Sequence, residues 1–308
     1  MSTGPSPFGE VAPVLKSLAE AGDLLNVTDL EARRDGDARV VAARPEPDLD
    51  CVVLDDVLSA EECAYLVSQT EKMKYSFWDA REERKTEFRN ADTIETHQPE
   101  IAALLWNRIK DKLPDPVEIT DDDESPRWQR DLEGTWDPYG TNEHLLFARY
   151  RQGGHFAPHT DGYNIVSCDE RSMYSIVLFL NDCQEGGGTR FYADEQRDQL
   201  VKDEAGRYTG RPDLVRFTAA PKAGRMVIFF HNIMHEGVPV GEEAEKYIIR
   251  SDVMYRRRDP ICKTPRDNEA FRLYQEAQEV SVAGDCDAAM TLFRRAFKMS
   301  PTLADIYG

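Results

Sequence analysis

The residues best placed to do chemistry lie in two stretches, Arg149-Tyr-Arg-Gln-Gly-Gly-His-Phe-Ala-Pro-His159-Thr-Asp161-Gly and Phe229-Phe-His231-Asn-Ile-Met-His235-Glu-Gly-Val-Pro-Val. Alternate residues of a strand point to the same face, so His159 and Asp161 can present an imidazole nitrogen and a carboxylate oxygen to one point. His235, 74 residues after Asp161 at the end of an apolar run, offers a third donor. Two imidazoles and one carboxylate on one face of a metal leave three positions open, an arrangement that suits a non-haem Fe(II) centre. His155 and His231 compete for these roles, each four residues before a proposed ligand, although Pro158 interrupts the regular spacing in the first case.

Elements able to hold such donors surround them. From Leu145 to about Tyr255 the chain reads as short β-type runs separated by Gly, Pro, Asn and Asp: LLFARY, SMYSIVLFLN, TRFYA, LVRFTAA, RMVIFF and KYIIRSDVMY. Six or more strands at this spacing predict a sandwich or barrel. Upstream, Cys51 to Leu58 opens with a strand. A helix follows, with Ser59 placed three residues before Glu62 as in a capping box. A second helix is predicted from Pro99 through Leu104, Leu105, Trp106 and Ile109, ended by Pro114. The run Asp121-Asp-Asp-Glu124 reads as a solvated loop, because no Gly-turned calcium-loop spacing accompanies it.

Composition narrows the partners. Lys and Arg number 38 against 57 Asp and Glu, a net charge of −19, so densely anionic duplexes and membrane surfaces are disfavoured as ligands. The N-terminus shows neither a secretory h-region nor an Arg-rich transit pattern. Six well-separated cysteines, Cys51, Cys63, Cys168, Cys183, Cys262 and Cys286, contain no Cys-x-x-Cys pair. Together these predict reduced thiols in a cytoplasmic or nuclear protein that is not secreted.

The metal-type residues do not stand alone. Ser175-Ile-Val-Leu-Phe-Leu-Asn181, Gly186-Gly-Gly-Thr-Arg-Phe191, Pro221-Lys-Ala-Gly-Arg-Met-Val-Ile-Phe-Phe and His235-Glu-Gly-Val-Pro-Val follow His159 and Asp161 in one order. In this the sequence resembles the 2-oxoglutarate and Fe(II)-dependent dioxygenases, nearest their prolyl 4-hydroxylase-like branch, over about Cys51 to Arg256. The resemblance implies a double-stranded β-helix, a cupin-like jelly roll, in an α+β fold with a mainly β core. It makes His159, Asp161 and His235 the iron ligands. An intact Asp161 argues against a family-type halogenase, in which a small residue stands in place of the carboxylate.

The same resemblance implies Fe(II), 2-oxoglutarate as cosubstrate, O₂, and ascorbate as a further small-molecule partner. A Lys or Arg about ten or eleven residues after the last His grips the distal carboxylate of 2-oxoglutarate in this branch, and Lys246 stands at eleven. Arg250, at fifteen, suits related branches and can hold a carboxylate bidentately. Tyr150 matches a position whose phenol hydrogen-bonds that carboxylate. The implied reaction converts 2-oxoglutarate and O₂ to succinate and CO₂ while one oxygen atom enters a substrate C–H bond. A protein side chain such as proline is the favoured substrate, with a small molecule as the second reading and a catalytically silent scaffold as the third. Substrate choice falls to loops, here Met73 to Arg89, with Tyr75, Phe77 and Trp78, and the insertion from Asp194 to Pro212. Phe77 is expected in the core.

Three segments are expected along the chain. Residues 1–48, rich in Pro, Gly and charge, read as an arm, partly disordered or with a surface helix near Val14 to Leu25. Residues 49–258 form the dioxygenase domain. Residues 265–308 carry Phe271, Leu273, Ala277, Gly284, Ala288, Phe293, Ala296 and Pro301 at the spacing of one tetratricopeptide-like helical hairpin. One such pair cannot bury its own apolar face, so it is expected to pack on the β domain, on a partner chain or on an N-terminal helix. Nothing in the sequence fixes the oligomeric state.

Overall fold

The computed structural model of the chain describes residues 25–34, 36, 39–79, 86–113, 116–120 and 130–308. Its strands are β1 Val41–Ala43, β2 Cys51–Asp55, β3 Ser76–Phe77, β4 Arg89–Asn90, β5 Asp92–His97, β6 Val117–Ile119, β7 Gly134–Thr141, β8 His144–Tyr150 and β9 His155–His159. These are followed by β10 Ile165–Ser167, β11 Glu170–Phe179, β12 Thr189–Tyr192, β13 Val201–Lys202, β14 Tyr208–Thr209, β15 Val215–Ala219, β16 Met226–Phe230, β17 His235–Gly237 and β18 Lys246–Arg257. The helices are α1 Val27–Glu31, α2 Ala60–Met73, α3 Pro99–Ile109, α4 Pro265–Val282, α5 Cys286–Met299 and α6 Pro301–Tyr307. The architecture is a mainly β core of antiparallel sheets with flanking helices. None of these helices is long and apolar enough to cross a membrane.

Two compact units divide the chain. The first comprises Met1–Leu113, Thr141–Asp161 and Tyr174–Asp252. Its larger sheet runs in the order β1-β2-β16-β11-β18-β8-β5-β3 and its smaller one β15-β12-β17-β9-β4. Side chains two apart on a strand share a face. Thus Ala148 and Tyr150, Val177 and Phe179, and Val227 and Phe229 of the larger sheet meet Phe191 and Ala219 of the smaller one in a single apolar cluster. Burying aliphatic and aromatic side chains between two sheets is the main force holding them face to face.

The helices of this unit start where the sequence places them. Ser59 Oγ accepts from the Glu62 amide at 3.1 Å while Glu62 returns a carboxylate to the Ser59 amide at 2.7 Å, closing the capping box of α2. The buried Glu62 is also held by both terminal nitrogens of Arg108, at 3.0 and 2.7 Å, so the cap ties α2 to α3. Order begins earlier than Cys51. Asn26 caps α1, Leu30 is fully buried, and β1 pairs antiparallel with β2. The expected helix near Val14 to Leu25 lies outside the described residues apart from Leu25, and the acidic run Asp121 to Glu124 lies outside them altogether.

The second unit comprises Pro114–Gly140, Gly162–Met173 and Val253–Gly308. Here β6 pairs with β7, and β10 turns back on the first residues of β11. Thr264, Asp285 and Ser300 cap α4, α5 and α6, and Gly284, with φ of 96°, makes the break between α4 and α5. The apolar faces of these helices meet through Tyr274 against Phe293 and Phe297, and Phe271 against Tyr307. Phe271 and Leu303 extend this packing to Cys168 and Ile165 in the β10–β11 turn.

Candidate active site

His159 and His235 sit directly opposite each other across the β9–β17 pair, which sets their side chains side by side in the smaller sheet. Their Nδ1 atoms approach backbone carbonyls, His159 that of Ala157 at 2.7 Å and His235 that of Ile233 at 2.9 Å. A carbonyl only accepts, so each Nδ1 carries the hydrogen and each Nε2 is left with a lone pair. Aromatic contacts fix both ring planes. Phe156 stacks on His159 with centroids 3.6 Å apart, and Phe229 meets His235 edge-on at 4.6 Å.

Asp161 completes the group, by a route the sequence did not suggest. Strand β9 ends at His159, and Asp161 lies beyond it, held by its amide hydrogen bond to the His231 carbonyl at 3.0 Å. Convergence of the two residues therefore comes from a turn pinned across the sheet rather than from strand alternation. Asp161 Oδ1 lies 3.6 Å from His159 Nε2 and Oδ2 lies 3.6 Å from His235 Nε2. All three donor atoms fall within 4.8 Å of one another. The buried Oδ2 has no hydrogen-bond partner among the described residues.

This donor set fits a divalent cation. Burial, with the neighbouring His159 as a further cause, pushes His235 down to about 4, so its imidazole stays neutral and keeps its lone pair at ordinary pH. Burial alone would push the Asp161 carboxyl up, but Arg250, His235 and His159 outweigh it and hold the carboxyl well below the usual range. A neutral His235 imidazole, the His159 ring oriented beside it, an ionised carboxylate and a buried oxygen without a hydrogen bond are what a metal ion would satisfy. His155 takes no part. Its two ring nitrogens face the Gly153 and Glu87 carbonyls at 3.3 and 3.1 Å, and neither it nor His231 joins the group.

The cluster opens into a cavity of about 600 Å³, counting its share of open solvent. Tyr150, Lys246, Arg250 and Arg89 line it with the three ligand-type residues. Lys246 and Arg250 share one face of β18, and Lys246 pairs across the sheet with Tyr150. Their circumstances differ. Arg250 is engaged by Asp252, donates to Ser175 Oγ at 3.3 Å and lies 3.4 Å from Asp161 Oδ2. The Lys246 ammonium is buried with no carboxylate partner among the described residues, held over the rings of Tyr150 and Phe179 at 4.9 and 5.5 Å. Burial pushes it down to about 8. Gly187, with φ of 67°, adopts a backbone conformation that L side chains rarely take, and a Cβ there would crowd Cys183 Sγ at 3.0 Å.

The candidate loops take distinct forms. Phe77 is only half-buried, packed on Trp78 rather than in the core, because β3 is a two-residue edge strand with one face open. From the second loop, Thr209 Oγ1 and the Gly210 amide bond the buried Glu236 at 2.9 and 3.2 Å, and Arg190 holds its other oxygen at 2.7 Å. The insertion is thereby tied to the residue next to His235. Sequence reasoning missed Arg89, which it treated only as the end of a loop.

Residues 145–251 match the family model of the 2OG-Fe(II) oxygenase superfamily. That superfamily uses Fe(II), 2-oxoglutarate and O₂. No curated protein sequence matches the chain at a significant level. Solved structures similar to it include a viral collagen prolyl hydroxylase from Paramecium Bursaria Chlorella virus-1 in complex with 2OG, 16% identical, covering 68% of this chain and 97% of that one at a TM-score of 0.39. A prolyl hydroxylase from Trichoplax adhaerens with a hypoxia inducible factor peptide fragment is 13% identical, covering 68% and 84% at 0.41. The carbocyclase SnoK of nogalamycin biosynthesis is 13% identical, covering 74% and 86% at 0.41. At these scores the likenesses carry no argument about substrate.

Proposed function

We propose that the chain is a 2-oxoglutarate- and O₂-dependent Fe(II) dioxygenase that hydroxylates a C–H bond, releasing succinate and CO₂. His159, Asp161 and His235 hold the metal, and residues 49–258 fold as a double-stranded β-helix around it. The carrying observation is one cavity that contains both this donor set and a buried ammonium, Lys246, without an acidic partner among the described residues. An unpaired buried cation is unfavourable unless a ligand compensates it. The distal carboxylate of 2-oxoglutarate is such a ligand, and the Tyr150 phenol beside Lys246 supplies a second contact. Arg250 already has Asp252 and Asp161 beside it, which makes it the positioning residue of the metal-binding carboxylate and Lys246 the anchor.

Bound iron supplies the site where O₂ is reduced and a C–H bond oxidised. The chain's own residues do the rest: backbone carbonyls orient the two imidazoles, Arg250 keeps Asp161 ionised, and Phe156, Phe229 and Phe191 exclude water from the ligand side. A protein side chain such as proline is the substrate class that the sequence resemblance favours, with ascorbate as accessory. In this reading the tetratricopeptide-like pair over 265–308 packs within its own unit, and the reduced cysteines fit a cytoplasmic or nuclear setting. The test is calorimetric titration of 2-oxoglutarate into anaerobic, iron-loaded protein beside Lys246→Ala and Arg250→Ala. Metal-dependent binding lost in Lys246→Ala and only weakened in Arg250→Ala is expected. No binding to folded, metal-loaded wild type would overturn the reading in favour of a scaffold.

A further inference from the structure

In a chain with net charge −19, carboxylates are abundant and arginines find them readily. In the first unit Arg34 and Arg108 pair with Glu62, Arg149 with Glu71 and Asp92, Arg190 with Glu236, Arg225 with Asp55 and Arg250 with Asp252. Arg89 differs from these. It lines the cavity of the ligand cluster, pairs with no carboxylate among the described residues, and its buried Nε has no hydrogen-bond partner.

Its position is nonetheless fixed. The guanidinium lies 4.5 Å from the Phe156 ring centroid and 5.2 Å from that of Trp78, two contacts in which a ring attracts the cation. Trp78 is itself held by its indole N–H to the Arg89 carbonyl at 2.8 Å, and Arg89 pairs with Phe156 across the β4–β9 ladder. Phe156 stacks on His159, so one ring separates the guanidinium from a ligand imidazole. The Tyr150 phenol takes one hydrogen bond from the guanidinium, and the N–H groups left over, Nε among them, suit bonding to a carboxylate.

The charges of the cavity point the same way. Arg89, Lys246 and Arg250 contribute three positive charges and Asp161 one negative, and Asp252 behind Arg250 adds a second negative. A divalent metal and a dianionic cosubstrate cancel each other, leaving one positive charge unmatched. Lys246 answers the cosubstrate and Arg250 its two acids, so the surplus within the lining resides on Arg89, which Glu95 attracts at longer range without forming an ion pair.

We propose that Arg89 binds a carboxylate of the primary substrate, so that the enzyme acts on acids, whether a free or C-terminal carboxylate or an acidic side chain. This rests on the dioxygenase reading. The experiment first measures 2-oxoglutarate binding to anaerobic, metal-loaded wild type; its absence overturns that reading, whatever the substrate titrations give. N-acetyl amino acids, their primary amides and N-acetylglutamate α-amide are then titrated into the metal- and 2-oxoglutarate-loaded protein. Binding of the acids at least tenfold tighter than the matching amides is expected. A comparable gain for N-acetylglutamate α-amide would identify a side-chain carboxylate as the recognised group, and its absence a terminal one. In Arg89→Met the acid-to-amide ratio should fall to near one, and Arg89→Lys should restore part of it. Acids that bind no better than amides in wild type, or a ratio unchanged in Arg89→Met, would overturn the proposal. So would loss of 2-oxoglutarate binding in folded Arg89→Met, which would place Arg89 in the cosubstrate site.

Discussion

Two places among the described residues gather metal-type side chains closely enough to hold an ion: His159, Asp161 and His235 in the first unit, and Cys168, Asp169 and Cys262 in the second. They differ in what is left over. Asp169 Oδ1 accepts from Arg257 Nε at 3.1 Å and the Ile261 amide at 2.9 Å, and Oδ2 accepts from the Cys262 amide at 3.0 Å. Hydrogen bonding to Cys262, together with burial, holds the Cys168 thiol protonated well above its ordinary range. That cluster is a joint fastening the β10–β11 turn to the chain entering α4, and its lone pairs are in use. In the first cluster Asp161 Oδ2 has no hydrogen-bond partner among the described residues, and both Nε2 atoms face that carboxylate at 3.6 Å, beside a cavity. Unsatisfied donor atoms, rather than the proximity of ligand residues, distinguish a metal centre from a structural joint.

The sharpest way to break the comparison is to remove a carboxylate from the first cluster. Asp161→Ala should reduce iron-dependent turnover of 2-oxoglutarate at least a hundredfold and abolish tight Fe(II) binding by anaerobic titration. Cys168→Ser and Cys262→Ser should leave both within a factor of two. Full turnover in Asp161→Ala, or loss of metal binding in either serine variant, would exchange the two assignments.

Stability should respond with opposite sign in the two regions. Asp169→Asn weakens a buried pair with Arg257 and is expected to destabilise the fold by about 3 kcal/mol. Lys246→Met should do the reverse for the ligand-free protein. Its ammonium titrates near 8 instead of 10.5, so burial of the charge at pH 7 costs on the order of 3 kcal/mol, which an apolar side chain of similar length avoids. A raised melting temperature together with lost 2-oxoglutarate binding would mark Lys246 as a residue kept for its ligand. Thermal unfolding of the three proteins side by side decides this, and a lower melting temperature for Lys246→Met would count against an uncompensated charge.

How far the sequence could lead depended on the range of each interaction. His159-x-Asp161 is a local signal and was legible, as were the Ser59 capping box and the strands flanking His235. Even so, strand alternation gave the wrong reason, because β9 stops at His159 and the turn to Asp161 is set by a contact with His231. Whether Lys246 or Arg250 faces an acid depends on Asp252 and Asp161, and spacing along β18 treats both cations alike. Arg89 was invisible for the same reason. Its role comes from the pairing of β4 with β9 and from two aromatic rings, one of them eleven residues away and the other across the sheet. Leu30 and β1 escaped because a short buried helix and a three-residue edge strand carry too few residues for periodicity to register.

The smallest effect expected is a pH dependence, and it separates the two cations of β18. Only the ammonium form of Lys246 attracts a carboxylate, and in the ligand-free protein that form titrates near 8. Below pH 8 the lysine is already charged and 2-oxoglutarate affinity should be flat. Above it, binding must first take up a proton, so affinity should fall by up to tenfold per pH unit until the higher pKa of the complex is reached. Calorimetry at pH 9 in buffers of different ionisation enthalpy would read that proton uptake directly. Lys246→Arg keeps its charge throughout this range, so whatever its affinity, the slope above pH 8 should vanish. If the slope persisted in Lys246→Arg, the titrating group would lie elsewhere, and the contrast between a free cation at Lys246 and a paired one at Arg250 would lose its functional meaning.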